Sequence, residues 1–168
     1  MFLDADCMAL RNVDHLFDLP GDIIVQREAQ YPIQSNQFSG YLKSEEYNQL
    51  TCDGINSGTF IVSGDKFKSV IQHWKEIDES IPARHGNCRD QSSWNRMILD
   101  TDLIVNEFPS NEVAFPLHLT PKYQDYIEAA VVHCLGVNLE HKVRFMFGLY
   151  SNIFLCDPRA SMLHIWES

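Results

Sequence analysis

The sequence predicts an α/β fold in which strands and helices alternate along one chain. Two observations carry that expectation. Short apolar runs of strand type recur at Phe2-Leu3, Ile23-Ile24-Val25, Gly58 to Val62, Leu103-Ile104-Val105 and Ala130-Val131-Val132. Between them lie stretches whose apolar residues repeat at three-and-four spacing, the signature of helices laid on a sheet.

Taken in order, Met1-Phe2-Leu3 reads as the end of an apolar strand running into Asp4-Ala5-Asp6, and Leu10, Val13, Leu16 and Phe17 follow at helical spacing. Pro20-Gly21 closes that segment. The strand Ile23-Ile24-Val25 precedes a polar stretch of roughly 30 residues with little periodicity, a length that in a compact domain points to function or mobility. The stretch from Gln30 to Asp53 is a candidate substrate-facing region, because loops on a rigid sheet often bind substrate, and reads equally as a plain mobile surface loop. After the Gly58 to Val62 strand, Ser63-Gly64-Asp65 offers a turn with Asp65 as N-cap, and Phe67, Val70, Ile71, Trp74 and Ile77 form the inner face of a helix. Pro82 to Arg89 reads as a loop, Asp90 to Leu99 as a helix with Trp94, Met97 and Ile98 inward, and Ile153-Phe154-Leu155 as a late strand.

Composition narrows the function classes. The chain has 168 residues, 45% of them hydrophobic and 21% charged, enough for a packed core and suited to one domain. A net charge of −10 repels phosphate backbones, so nucleic acid is not an expected partner. No run approaches the roughly 20 apolar residues that span a bilayer, and the start lacks the pattern of a signal peptide. The five cysteines are scattered and include no C-x-x-C, which suggests neither a zinc cage nor a disulfide framework and leaves the compartment open.

Residues two apart on a strand project to one side, so Asp4 and Asp6 present two carboxylates toward one point. Hard oxygen donors outside the carboxyl end of a strand suit Mg²⁺ or Mn²⁺, which in turn grip a diphosphate. The remaining histidines (His15, His73, His85, His118, His141 and His164) show no metal-ligand spacing.

Four segments in order then resemble a known family. Phe2-Leu3-Asp4-Ala5-Asp6, with Leu10-Arg11-Asn12-Val13-Asp14 after it, is similar to the Asp-x-Asp segment of GT-A glycosyltransferases, in particular the glycogenin-like and galactosyltransferase-like family 8. Asp53 to Phe60 looks like the Asn-Ser-Gly motif that enters a central strand. Arg89-Asp90-Gln91-Ser92-Ser93-Trp94-Asn95 looks like the Asp-Gln-x-x-x-Asn motif at a helix start. Val132-His133-Cys134-Leu135-Gly136, with Lys142 beyond it, is similar to the His-x-x-Gly…Lys segment.

The resemblance implies a GT-A, nucleotide-diphospho-sugar transferase-like mixed sheet flanked by helices. It implies a metal-dependent, retaining transfer of a sugar from a nucleotide-diphosphate donor to a glycan, protein or lipid acceptor. Asp4, Asp6 and His133 would hold Mn²⁺ or Mg²⁺, while Lys142 and Gly136 would lie at the diphosphate. Asn56, Asp90 and Gln91 would form the catalytic, sugar-side group, the amides of Asn56 and Gln91 reading hydroxyls or bracing the reacting centre. Asp90 can equally cap its helix.

The family's nucleotide-binding βαβ half normally precedes Asp-x-Asp, and here three residues do. Residues 1–168 are therefore expected to be a single partial domain, lacking that N-terminal half, with poor donor binding when expressed alone. Two alternatives accompany this reading. One is a degenerate transferase domain that binds without turnover. The other is a haloacid dehalogenase-type phosphatase, disfavoured because Met8 stands at the fifth place of D-x-D-x-[TV] and no adjacent Asp-Asp occurs.

Overall fold

The computed structural model describes residues 1–80, 89–119, 122–135 and 138–154. Among the described residues there are two mixed sheets and four α-helices, which bears out the general α/β class. The chain divides into two compact units, one comprising Met1–Phe2 and Leu16–Phe108, the other Leu3–His15 and the chain from Pro109 onward.

The first unit is built on a four-stranded sheet of order β1-β4-β3-β5, formed by β1 (Phe2–Leu3), β3 (Ile23–Pro32), β4 (Asp53–Val62) and β5 (Val105–Glu107). Strands β3 and β4 are antiparallel, whereas β3 and β5 are parallel. Helices α1 (Phe67–Ser80) and α2 (Arg89–Asp100) supply Val70, Trp94 and Met97 to a core shared with Ile23, Val25, Ile55 and Phe60. Trp94 stacks on Phe60 at a centroid distance of 4.3 Å, and Phe2 stacks on Phe60 at 4.8 Å. Such aromatic pairs add to the burial of the rings themselves.

Strand β3 is longer than the three-residue run Ile23-Ile24-Val25. A register shift between Val25 and Gln26 interrupts the period-two alternation, so its polar continuation does not read as strand from hydropathy. At Gly54 the backbone passes close to the buried Phe38 ring: a Cβ there would lie 2.1 Å from a ring carbon. Glycine permits that approach.

The second unit carries a three-stranded sheet of order β2-β7-β6, made of β2 (Cys7–Ala9), β6 (Val113–Ala114) and β7 (Val131–His133). The β2–β7 pair is antiparallel, with Cys7 opposite His133, and β6–β7 is parallel. The short helix α3 (Tyr123–Ile127) and the long helix α4 (Leu139–Phe154) place Tyr126, Phe145 and Leu149 in a core with Leu10, Ala129, Val132 and Cys134.

Three expected elements and one expected core residue are corrected. The helical spacing at Leu10 to Phe17 gives a strand, Cys7–Ala9, and a 3₁₀ turn over Asp14–Asp18, in which Leu16 is buried and Phe17 is 53% exposed. Pairing captures this segment, since Leu10 N donates to Ala130 O at 2.8 Å and Asn12 Oδ1 accepts from Asp14 N in a local turn that competes with helix. Helix α1 forms as expected, yet Phe67 at its first turn is exposed. The strand read at Leu103 to Val105 lies at Val105–Glu107, with Ile104 64% exposed, because Ile104 O instead accepts the N–H groups of Asp22 and Ile23. Ile153 and Phe154 end helix α4 instead of forming a strand. Leu155 lies outside the described residues, as does 82–88 of the expected loop.

Candidate functional site

Two groups of polar side chains stand out, one in each unit. In the second unit, Asp4 and Asp6 occupy the turn between β1 and β2, closed by Cys7 N donating to Asp4 O at 3.0 Å. Asp6 O accepts Cys134 N at 3.0 Å, which ties that turn to the end of β7. This tie brings His133 over the carboxylates: its Nε2 lies 3.0 Å from Asp6 Oδ1 and 4.0 Å from Asp4 Oδ2. Lys142, from the first turns of α4, places Nζ on Asp6 Oδ2. The structure thus brings together Asp4, Asp6, His133 and Lys142. Gly136 lies outside the described residues.

The electrostatics follow from this packing. Burial opposes charge on Asp6, but His133 and Lys142 hydrogen-bond to it and attract it, and together they hold its carboxyl well below the usual carboxylate range. Burial likewise opposes charging of His133, yet its bonds and charge interactions with Asp6 and Cys7 raise it from 6.5 to about 9. Burial, reinforced by the charges of Asp6 and Cys7, pushes the Cys134 thiol up to about 12. Two carboxylates and an imidazole on one side of a turn are donors of the kind divalent cations take. His133 Nδ1 is buried and has no hydrogen-bond partner among the described residues.

Cys7 was missed by sequence reasoning. Its Sγ, a carboxylate oxygen of Asp6 and a ring nitrogen of His133 lie within 4.8 Å of one another. Spacing alone could not reveal this, since the cross-strand register of β2 and β7 creates the proximity.

In the first unit, Asn56, Asp90 and Gln91 also come together. Asn56 and Gln91 meet around a residue not anticipated from sequence, Glu28, which is only 2% exposed. Glu28 Oε1 accepts from Asn56 Nδ2 at 2.8 Å and from Gln91 Nε2 at 3.2 Å, and its Oε2 accepts from Gln37 Nε2 at 3.0 Å. Gln91 Oε1 in turn accepts from Asn56 Nδ2 at 3.2 Å. Asn56 Oδ1 takes the Gly58 N–H, so both ends of the Asn56 amide are engaged and this residue braces its neighbours. The exposed Asp90, in the first turn of α2, accepts from Ser57 Oγ at 3.0 Å. It borders a groove lined also by Ile71, Trp74, Lys75, Asp78 and Ser93. The last motif residue, Asn95, is fully buried and bonds both backbone groups of Ile55, fastening α2 to β4.

No protein-family profile matches this chain, and neither a curated protein nor a solved structure does. Among the described residues, no helix is long and apolar enough to cross a membrane.

Proposed function

We propose that the chain is a metal-dependent glycosyltransferase domain of GT-A type, moving a sugar with retention from a nucleotide-diphosphate donor to a glycan, protein or lipid acceptor. The observation that carries the reading is the cluster of Asp4, Asp6, His133 and Lys142, drawn from distant parts of the sequence. The mixed α/β architecture is compatible with it. Asp4, Asp6 and His133 would hold Mn²⁺ or Mg²⁺, which when bound supplies Lewis-acid neutralisation of a diphosphate leaving group. Lys142 rests its Nζ on Asp6 Oδ2, from which it can turn to a phosphate oxygen. In the other unit, Glu28 and Asn56 hold Gln91 in one orientation, the preorganisation a polar catalytic group requires.

Calorimetric titration with Mn²⁺ and then with nucleoside diphosphates and nucleotide-sugars tests the reading. Diphosphate binding should require Mn²⁺ and should vanish in Asp4→Asn, Asp6→Asn and His133→Ala. Metal-independent binding, or wild-type behaviour of the aspartate variants, overturns it.

A second reading, a transferase-like binding module without turnover, draws support from one feature. Asp6 is already compensated by His133 and Lys142 within the chain, so the cluster can hold the turn without a cation. Absence of any Mn²⁺ heat in the same titration would favour it.

A further inference from the structure

We propose that Cys7 is a ligand at the Asp6–His133 centre, and that its sulfur makes the centre selective for a borderline-soft cation of the Zn²⁺ class. The inference deepens the metal reading above and rests on it only for the presence of a cation centre. Cys7 lies directly opposite His133 in the β2–β7 ladder, and it adjoins Asp6 in sequence, so one turn and one cross-strand pair supply three donors of three kinds. All three donor atoms fall within 4.8 Å of one another. A tetrahedral centre with Zn–S of about 2.3 Å and Zn–N or Zn–O of about 2.0–2.2 Å needs only a modest contraction of that spacing.

Donor chemistry decides the cation. Mg²⁺ takes oxygen ligands in octahedral geometry and gains nothing from sulfur, whereas mixed nitrogen, oxygen and sulfur donors suit Zn²⁺. Asp6, Cys7 and His133 leave a fourth position, which Asp4 Oδ2, 4.0 Å from His133 Nε2, or an exogenous oxygen can take. Cys134 does not compete for the role: it is fully buried and packs in the core with Val132, Phe145 and Leu149. On binding, the Cys7 thiol passes its proton to solvent and ligates as thiolate, and His133 releases the proton its Nε2 shares with Asp6 and ligates as neutral imidazole. Cys7 is only half-buried, so a serine replacement removes the sulfur with little loss of packing.

The test uses the full chain and metal ions alone. Purified protein is titrated with Zn²⁺ and with Mn²⁺ in competition with a chromophoric chelator, and the Co²⁺ form is examined for sulfur-to-metal charge transfer in the near ultraviolet. Wild type should bind one Zn²⁺ and show the band. Cys7→Ser should lose the band and at least about tenfold in Zn²⁺ affinity, with Mn²⁺ affinity changed by less than about threefold. Should Cys7→Ser fold poorly, alkylation of Cys7 in the wild type, read by peptide mass spectrometry, gives the same answer, because Zn²⁺ should protect it and Mg²⁺ should not. Equal Zn²⁺ affinity in both proteins, or no thiolate band and no protection, overturns the proposal. Mn²⁺-dependent diphosphate binding would survive that failure. Conversely, Zn²⁺ held through Cys7 with no diphosphate binding would sink the transferase reading and leave this one standing.

Discussion

His133 Nε2 sits 3.0 Å from Asp6 Oδ1, and the bond joins the sixth residue of the chain to the last residue of β7. Each partner shifts the other toward its charged form, although both are at least half-buried. The pair therefore ties stability to pH.

His133 is raised in the folded protein, so its contribution is fully present below its ordinary value of 6.5 and is lost as pH rises through about 9. Asp6 is depressed, so its contribution is present above its ordinary value of 3.8 and is lost as pH falls below it. Metal-free wild type should lose its advantage over His133→Ala between about pH 6.5 and 9. Urea midpoints of both proteins across pH 5 to 10 would show it, and a constant difference would mean that the pair is not ionic.

Glu28 is the hub of the buried polar network, and removing it leaves amide hydrogens of Asn56, Gln91 and Gln37 without their acceptor. Glu28→Ala should cost about 2–3 kcal/mol, since buried donors left without an acceptor carry their full desolvation penalty. Glu28→Gln, which keeps one carbonyl oxygen, should cost less. Denaturant unfolding of the two variants would give that order, and a neutral Glu28→Ala would show that the amides find other partners.

Asn95 holds the backbone N–H and C=O of Ile55 at 2.8 and 2.7 Å. Asn95→Ala strands both in a buried setting and should destabilise the protein by about 3 kcal/mol. Asn95→Asp should not rescue it, because a carboxylate can accept from Ile55 N but cannot donate to Ile55 O. Thermal melts of the two variants would test this, and a mild effect of either would contradict the clamp.

Asp90 is exposed, and the side-chain bond it accepts from Ser57 Oγ survives replacement by Asn, whose amide oxygen also accepts. Asp90→Asn should therefore change stability by no more than about 0.5 kcal/mol. Under the transferase reading, Asp90→Asn and Gln91→Ala lower turnover by far more than these stability changes explain. Parallel losses of turnover and melting temperature would instead assign both residues to helix capping and packing.

The alternation of strand-type and helix-type segments was legible in the chain, and so were the inward faces of α1 and α2, because Val70, Trp94 and Met97 recur at helical spacing and burial follows that period. The spacing of Asp4 and Asp6 pointed to side chains facing one way and the family resemblance added His133, and the structure brings the three together. Tertiary structure decided the rest. Leu10, Val13, Leu16 and Phe17 carry helical spacing, but pairing of Cys7–Ala9 with β7 outweighed local pattern. Glu28 gave no signal because a register shift in β3 breaks the alternation that would have marked it as inward. Cys7 joined the cation cluster through a cross-strand register, and register is a property of two segments far apart in sequence, set by the cores they bury together. Local periodicity records which face of a segment is apolar; only packing determines which distant polar groups that face brings into contact.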